Sequence, residues 1–266
     1  MEYNFSEEYY EVVITQEAPI KGATILLVGT GGNGGYILYY LTRLLAALQE
    51  QNETEYRLII ADGDIVEEAN CRRQNFIRRD IGRNKAQVLA ERYSAAYGLN
   101  IEYIDRYIED KETLGRYLAP YYGVKKILVG AVDNNRSRQL FHEYFQETNS
   151  LIWLDSGCDE WTGQVVCGIK KDGQTILPPV TEVYPDMLAD KDTIFKSEES
   201  CSQRVVSAPQ NIATNIMAGT IAFQYLNNIL TDGKLETYMT TFSAKTSTAR
   251  PWYITKNVFT NEALGK

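Results

Sequence analysis

One histidine in 266 residues, four cysteines and no C-x-x-C pair leave this chain little material for metal chemistry. The histidine, His142, falls between Phe141 and Phe145 in a helical pattern, which reads as a half-buried helix residue rather than a catalytic base. Cys71, Cys158, Cys167 and Cys201 are too scattered for a disulfide framework, and without a C-x-x-C pair no zinc is expected. No apolar run approaches the roughly twenty residues that cross a bilayer, so no membrane role is expected. The first residues, "MEYNFSEEYYEVVI", are acidic and lack the basic and apolar regions of a signal peptide, which points to a cytoplasmic location. Excess positive charge is missing as well. A formal net charge of -8 repels a phosphate backbone and argues against nucleic acid as partner.

What is present is core-forming material. Hydrophobic residues make up 44% of the chain, enough for a single α/β domain over residues 1–266 with no internal repeat or linker. "TILLVG" reads as a first strand, and "YILYYLTRLLAALQE" follows with Ile37, Leu41, Leu44, Leu45 and Leu48 at helical spacing. "YRLIIAD" is a second strand, and "RNKAQVLAERYSAAYG" a helix that stops at Gly98. "NIEYIDRYI", "KKILVGAVD", "LIWLDSG" and "GQVVCGIK" supply further strands, with "SRQLFHEYFQE" helical between the second and third of them. This alternation predicts a doubly wound, Rossmann-like, mostly parallel sheet. Residues 171–200 carry three prolines and no sustained period, and read as a long crossover loop. "NIATNIMAGTIAFQYLNNIL" is an apolar helix, and the tail holds two short strands around a polar turn.

The glycine run "GTGGNGG" sits between the first strand and the first helix, the context in which such a run holds phosphate. Asp62 ends the second strand, where a nucleotide fold places a carboxylate for ribose. Taken alone, these features allow any dinucleotide. The next residues ask for more charge: Asn70, Arg72, Arg73 and Gln74, then Lys85, are more donors than a pyrophosphate requires and suit a triphosphate. Asp133, at the tip of the fourth strand, is the candidate ligand for the Mg²⁺ such phosphates carry.

In order and spacing, "GTGGNG", "ADGDIVEEANCRRQ", "IGRNKA" and "VDNNRSR" resemble the ThiF/MoeB/HesA family and the adenylation domains of ubiquitin-type E1 enzymes. "WLDSG", "ILPPVTEVYP" and "ESCSQ" are also similar to the ThiF-like proteins of bacterial PRTRC cassettes. The resemblance implies an E1-like adenylation fold that transfers AMP from MgATP to the C-terminal carboxylate of a small ubiquitin-like protein. It further implies a homodimer. Carried over, Gly31, Gly32 and Gly34 line the phosphate turn and Asp62 takes the ribose; Gly29 belongs to the same cofactor site, and Asp64 either joins it or turns out of it to cap the following turn. Asn70, Arg73, Gln74 and Lys85 take the phosphates, and Asp133 takes Mg²⁺ with Asn134 beside it. Arg73, Lys85 and Asp133 are then the catalytic set, because carboxylate attack on phosphorus needs charge stabilisation and no base.

Two departures stand out. Related dimers insert an N-terminal arginine into the neighbour's ATP site, whereas the first arginine here is Arg43, inside the first helix, so that arm is either missing or replaced by Lys21. Cys201 falls where several members carry a cysteine that forms a thioester or persulfide. Arg204 favours its thiolate while Glu198 and Glu199 oppose it, so a catalytic thiol and a small apolar loop residue both stand. Two other functions also stay open: a nucleotide-binding module without turnover, and an NAD- or FAD-dependent oxidoreductase.

Overall fold

Apolar strands separated by helices can bury themselves only as a sheet between helical layers, and the computed structural model has that form. It describes residues 8–51, 54–119, 124–191, 195, 211–256 and 258. In chain order these form β1 (Val12–Val13), β2 (Gly22–Val28), α1 (Gly32–Gln51), β3 (Glu55–Ala61), α2 (Lys85–Tyr97), β4 (Ile101–Ile104) and α3 (Lys111–Tyr117). Then come β5 (Lys125–Gly130), α4 (Asn135–Glu147), β6 (Leu151–Cys158), β7 (Thr162–Lys171), β8 (Gln174–Leu177), α5 (Val180–Val183) and α6 (Asp186–Ala189). The described chain ends with α7 (Ile212–Thr231), β9 (Lys234–Leu235), β10 (Thr237–Ser243) and β11 (Thr248–Tyr253).

The main sheet runs β11-β10-β7-β6-β5-β2-β3-β4, with β8 paired to β7. Strands β4, β3, β2, β5 and β6 are parallel, while β7, β8, β10 and β11 add to the β6 edge in antiparallel register. Central parallel strands are covered on both faces, which explains their unbroken apolar runs. Ile25, Leu26, Leu27, Ile59, Ile60, Ile127, Leu128 and Val129 are wholly buried. Helix α1 packs on α2 and α7, and α4 packs on α3, α5 and α6. No described helix is long and apolar enough to cross a membrane.

Local signals set the helix ends. The Asn84 side chain caps α2 by accepting from Gln87 N at 3.0 Å, and Gly98 ends that helix in the left-handed region. Helix α1 begins earlier than its apolar period suggests, inside the glycine run at Gly32. The crossover segment differs from the expected loop: its described part holds β8 and the single-turn helices α5 and α6. Pro179 and Pro185 precede those turns, and prolines suit helix starts better than helix interiors. His142 is half-buried, with Nδ1 2.9 Å from Thr181 Oγ1 on α5, a packing position.

Candidate functional site

Beyond β2 the chain moves to β3 and β4 on one side, then returns to β5 on the other. The strand ends therefore part at β2, and an open sheet of this kind has its crevice there. The peptide groups leaving β2 are tied to both neighbours: Gly29 N donates to Ala61 O at 2.8 Å, and Ala131 N to Val28 O at 2.9 Å. A cavity of about 1060 Å³ opens above them. Its wall includes Gly29, Gly31, Gly32, Asp62, Asp64, Asn70, Arg73, Gln74, Lys85, Asp133 and Asn134, so nearly the whole expected set shares one space.

Gly34 is the exception among the glycines. It lies outside the cavity wall, and a Cβ there would sit 1.9 Å from Gly29 O. Its smallness lets α1 start directly on the strand end, so it serves the turn and not a ligand. Gly29 has φ +88 and would also collide with Ala131 O, at 2.5 Å, if it bore a side chain.

On the β3 side the charged groups are interlocked. Asp62 Oδ2 accepts from Thr30 N at 2.7 Å and Thr30 Oγ1 at 3.0 Å, and Oδ1 from Asp64 N at 2.9 Å. The expected ribose carboxylate thus already braces the glycine turn, leaving only its remaining lone pairs for a sugar. Burial pushes its pKa up, against the pull of the Lys85 ammonium. Asp64 does not turn away: its Oδ2 holds Lys85 Nζ at 2.8 Å, and the Tyr107 hydroxyl donates to its Oδ1. Asn84 ties the same turn down by donating to Asp62 O at 2.7 Å and Asp64 O at 3.1 Å.

The arginine-rich stretch is a loop folded on itself. Asn70 Oδ1 accepts from Glu67 N at 2.7 Å, so this atom closes the turn, and the backbone N of Gln74 donates to Asn70 O at 2.9 Å. Arg73 and Gln74 face the cavity, whereas Arg72 is exposed and outside its wall. Gln74 is 9% exposed and its Oε1 has no hydrogen-bond partner. An unmatched amide oxygen in such a position costs free energy unless a ligand or water supplies a donor. The loop is anchored from behind: Asn75 Nδ2 donates to Gly35 O at 2.9 Å, and Arg92 donates to Asn75 O at 2.6 Å and pairs with Asp80.

On the β5 side Asp133 is exposed at the mouth. Asn134 is the N-cap of α4, its Oδ1 accepting from Ser137 N at 2.8 Å, so that oxygen serves the helix. The charge pair that shapes this wall was not anticipated. Arg138 reaches Asp155 at 3.0 Å and also donates to Val132 O at 2.8 Å, next to Asp133. A carboxylate inside the apolar strand "LIWLDSG" was the available signal, since buried charges need partners. Tyr107 was missed as well: the expected strand "NIEYIDRYI" ran through it, whereas β4 ends at Ile104, and an uncharged tyrosine has no distinguishing pattern. Asn33, Cys158 and Asn215 form a third unexpected group on the cavity's far side, with Cys158 Sγ donating to Asn33 Oδ1 at 3.2 Å and Asn215 Nδ2 to the same oxygen at 2.9 Å.

Two further expectations concern other places. Cys201 lies outside the described residues. Lys21 precedes β2 and pairs with Glu17 at 3.7 Å, at the opposite end of the strand from the crevice. At about 3.3 Å per residue, that is roughly 20 Å from its own chain's site.

The family model described as the ThiF family matches residues 10–258. Ubiquitin-activating enzyme E1 2 of Arabidopsis thaliana is 28% identical over 206 residues, 74% of this chain and 17% of that protein. Ubiquitin-activating enzyme E1 1 of the same plant is 28% identical over 202 residues, 73% of this chain and 16% of its own length. The chain thus spans about a sixth of these curated relatives. The crystal structure of PaaA superposes with a TM-score of 0.62 at 17% identity, covering 90% of this chain and 66% of PaaA. That of E. coli MccB with AMPCPP and MccA gives 0.61 at 15% identity, covering 89% and 65%. MccB with ATP gives 0.60, again at 15% identity and the same coverage. The structural likenesses agree with the doubly wound sheet described above, and the sequence match spans nearly all of it: the chain belongs to the ThiF family.

Proposed function

We propose that the crevice binds MgATP and that the chain transfers AMP from it to the C-terminal carboxylate of a small ubiquitin-like protein or peptide. The observation that carries this reading is the convergence of Gly31, Arg73, Gln74 and Lys85 on one cavity at the sheet's switch point. E. coli MccB, of similar fold, was crystallised with ATP and with MccA, and the Arabidopsis relatives are ubiquitin-activating enzymes, which supports both substrates.

In the proposed reaction an oxygen of the acceptor carboxylate bonds to the α-phosphorus as the bond to the bridging oxygen breaks. Pyrophosphate leaves with that electron pair. The nucleophile is ionised at neutral pH, so no side chain has to take a proton. Arg73 and Lys85 would offset charge on the phosphoryl oxygens and on the leaving group. Gly31 and Gly32, at the start of α1, bring backbone close to the phosphates at the positive end of the helix. Asp133 would hold Mg²⁺, which would supply charge neutralisation on the phosphates. Among the described residues no three His, Cys, Asp or Glu side chains gather around a point. Asp133, one of the exposed carboxylates of the cavity wall and the one at the end of the central strand β5, fits a hard cation that takes oxygen ligands.

Homodimerisation belongs to the same reading, and the exposed Ile212 and Ile216 of α7 are candidates for a contact. Calorimetry with MgATP and NAD⁺, then ATP–pyrophosphate exchange with proteins ending in Gly-Gly, tests the proposal. Binding of ATP but not NAD⁺, with acceptor-dependent exchange, is the expected result. Tight NAD⁺ binding would replace it with the oxidoreductase reading, and ATP binding without exchange with the module lacking turnover.

A further inference from the structure

Tyr107 lies three residues beyond β4 in the cavity wall. Two contacts tie it to the turn after β3. Its ring rests on Gly63 so closely that a Cβ there would fall 2.7 Å from the ring carbons. Its hydroxyl donates to Asp64 Oδ1. The other oxygen of Asp64 holds Lys85 Nζ at 2.8 Å, and Lys85 is only 6% exposed. Phenol, carboxylate and ammonium therefore form one chain that ends at the cavity.

We propose that Tyr107 is a positioning residue for the Lys85 ammonium, acting through Asp64; this rests on the MgATP reading above. Two effects follow from the geometry. A carboxylate pinned at one oxygen presents the other in a fixed direction, so the ammonium stands in a defined place before nucleotide arrives. A carboxylate that already accepts a phenolic proton also attracts an ammonium less strongly than one without that donor. Phosphate oxygens then compete with Asp64 for Lys85 on better terms. Gly63 belongs to the device, because any side chain there would displace the ring.

The variant Tyr107→Phe keeps the ring on Gly63 and deletes only the donor. Calorimetry should show MgATP affinity reduced about three- to tenfold, in the range of one ordinary hydrogen bond. Affinity for AMP should fall less than affinity for MgATP, since AMP lacks the outer phosphates that the ammonium also addresses, and the urea midpoint of unfolding should be unchanged. In an Asp64→Asn background the same substitution should have no further effect on MgATP. Equal MgATP affinity in wild type and Y107F overturns the proposal, as does a loss that persists undiminished beside D64N. A parallel loss for AMP with a lowered unfolding midpoint assigns the residue to packing alone and also overturns it. Wild-type protein that binds no MgATP removes the functional reading itself, an outcome visible before any variant is made.

Discussion

The two walls of the crevice are built differently. On the β3 side Asp62, Asp64 and Lys85 are bound to one another and to backbone before any ligand enters, and the Asp62 carboxylate is almost out of reach of water. On the β5 side Asp133 stands exposed, Asn134 is occupied with capping α4, and the organising ion pair of Arg138 and Asp155 lies behind the surface. A pre-paired wall loses little freedom when a ligand arrives, which suits the stabilisation of developing charge. An exposed carboxylate suits the opposite task, holding an ion that arrives with its water. In the proposed reading, burial divides the labour between fixed electrostatics on one wall and metal binding on the other.

The sharpest way to break this comparison is Lys85→Met. It removes the ammonium and leaves Asp64 facing the cavity without that partner. ATP–pyrophosphate exchange should fall roughly a hundred- to a thousandfold, the scale of losing one preorganised charge stabiliser. A loss below about tenfold would mean that the β3 wall serves folding and not catalysis. Between the walls, the glycines give the next largest effect. Gly34→Ala must move Gly29 O, 1.9 Å from the new Cβ, and should destabilise by about 3 kcal/mol in urea unfolding, at the upper end for overpacking. Gly31→Ala meets only the Gln74 side chain, 3.5 Å away, and should change stability little while weakening MgATP. Equal destabilisation by both would show that the glycine run is one structural unit with no part reserved for a ligand.

How much of this was readable beforehand follows from range. The parallel strands, α2 with its Asn84 cap and Gly98 stop, and α7 were legible because apolar period and capping are local signals. The glycine run was legible as a turn, but the division between Gly34 as packing and Gly31 as wall was not. That division depends on how tightly the turn folds Gly34 back onto Gly29 O, and on where Gln74 arrives from another loop. Residue types at the site were recognised from order and spacing, yet their commitments were not: Asp62 to Thr30, Asn134 to Ser137, Asp64 to Lys85 and Tyr107. Arg138 and Asp155 are 17 positions apart and meet only because α4 starts just past the end of β5, beside the neighbouring strand β6. Helix α3 was missed because its single buried residue, Leu114, gives no periodic pattern.

A smaller effect sharpens the β5 side. Asp133→Asn should raise the Mg²⁺ concentration for half-maximal exchange roughly tenfold, while saturating Mg²⁺ restores much of the rate. Restoration separates a metal ligand from a residue needed for the fold of the strand end. An unaltered Mg²⁺ requirement would move the ion to another group and remove the contrast between the walls.

Cys158 offers the mildest probe, because it sits at the end of β6 facing the space between both walls. Burial pushes its thiol above the ordinary value, and hydrogen bonds with Asn33 and Asn215 offset this only in part. The thiolate is the reactive form, so near pH 7 less of it is present than in a free cysteine. Iodoacetamide should therefore label Cys158, followed by mass spectrometry of its own peptide, about threefold or more slower than it labels glutathione. The sign of the pH dependence follows from the upward shift. The rate should still climb above about pH 10, where that of an ordinary thiol levels off. MgATP should slow labelling further by covering the cavity wall, and AMP should do so less if the outer phosphates reach toward Lys85. Labelling as fast as glutathione would contradict the burial of this thiol. Labelling indifferent to MgATP would place the nucleotide away from β6, and with it the acceptor carboxylate that must meet the α-phosphorus.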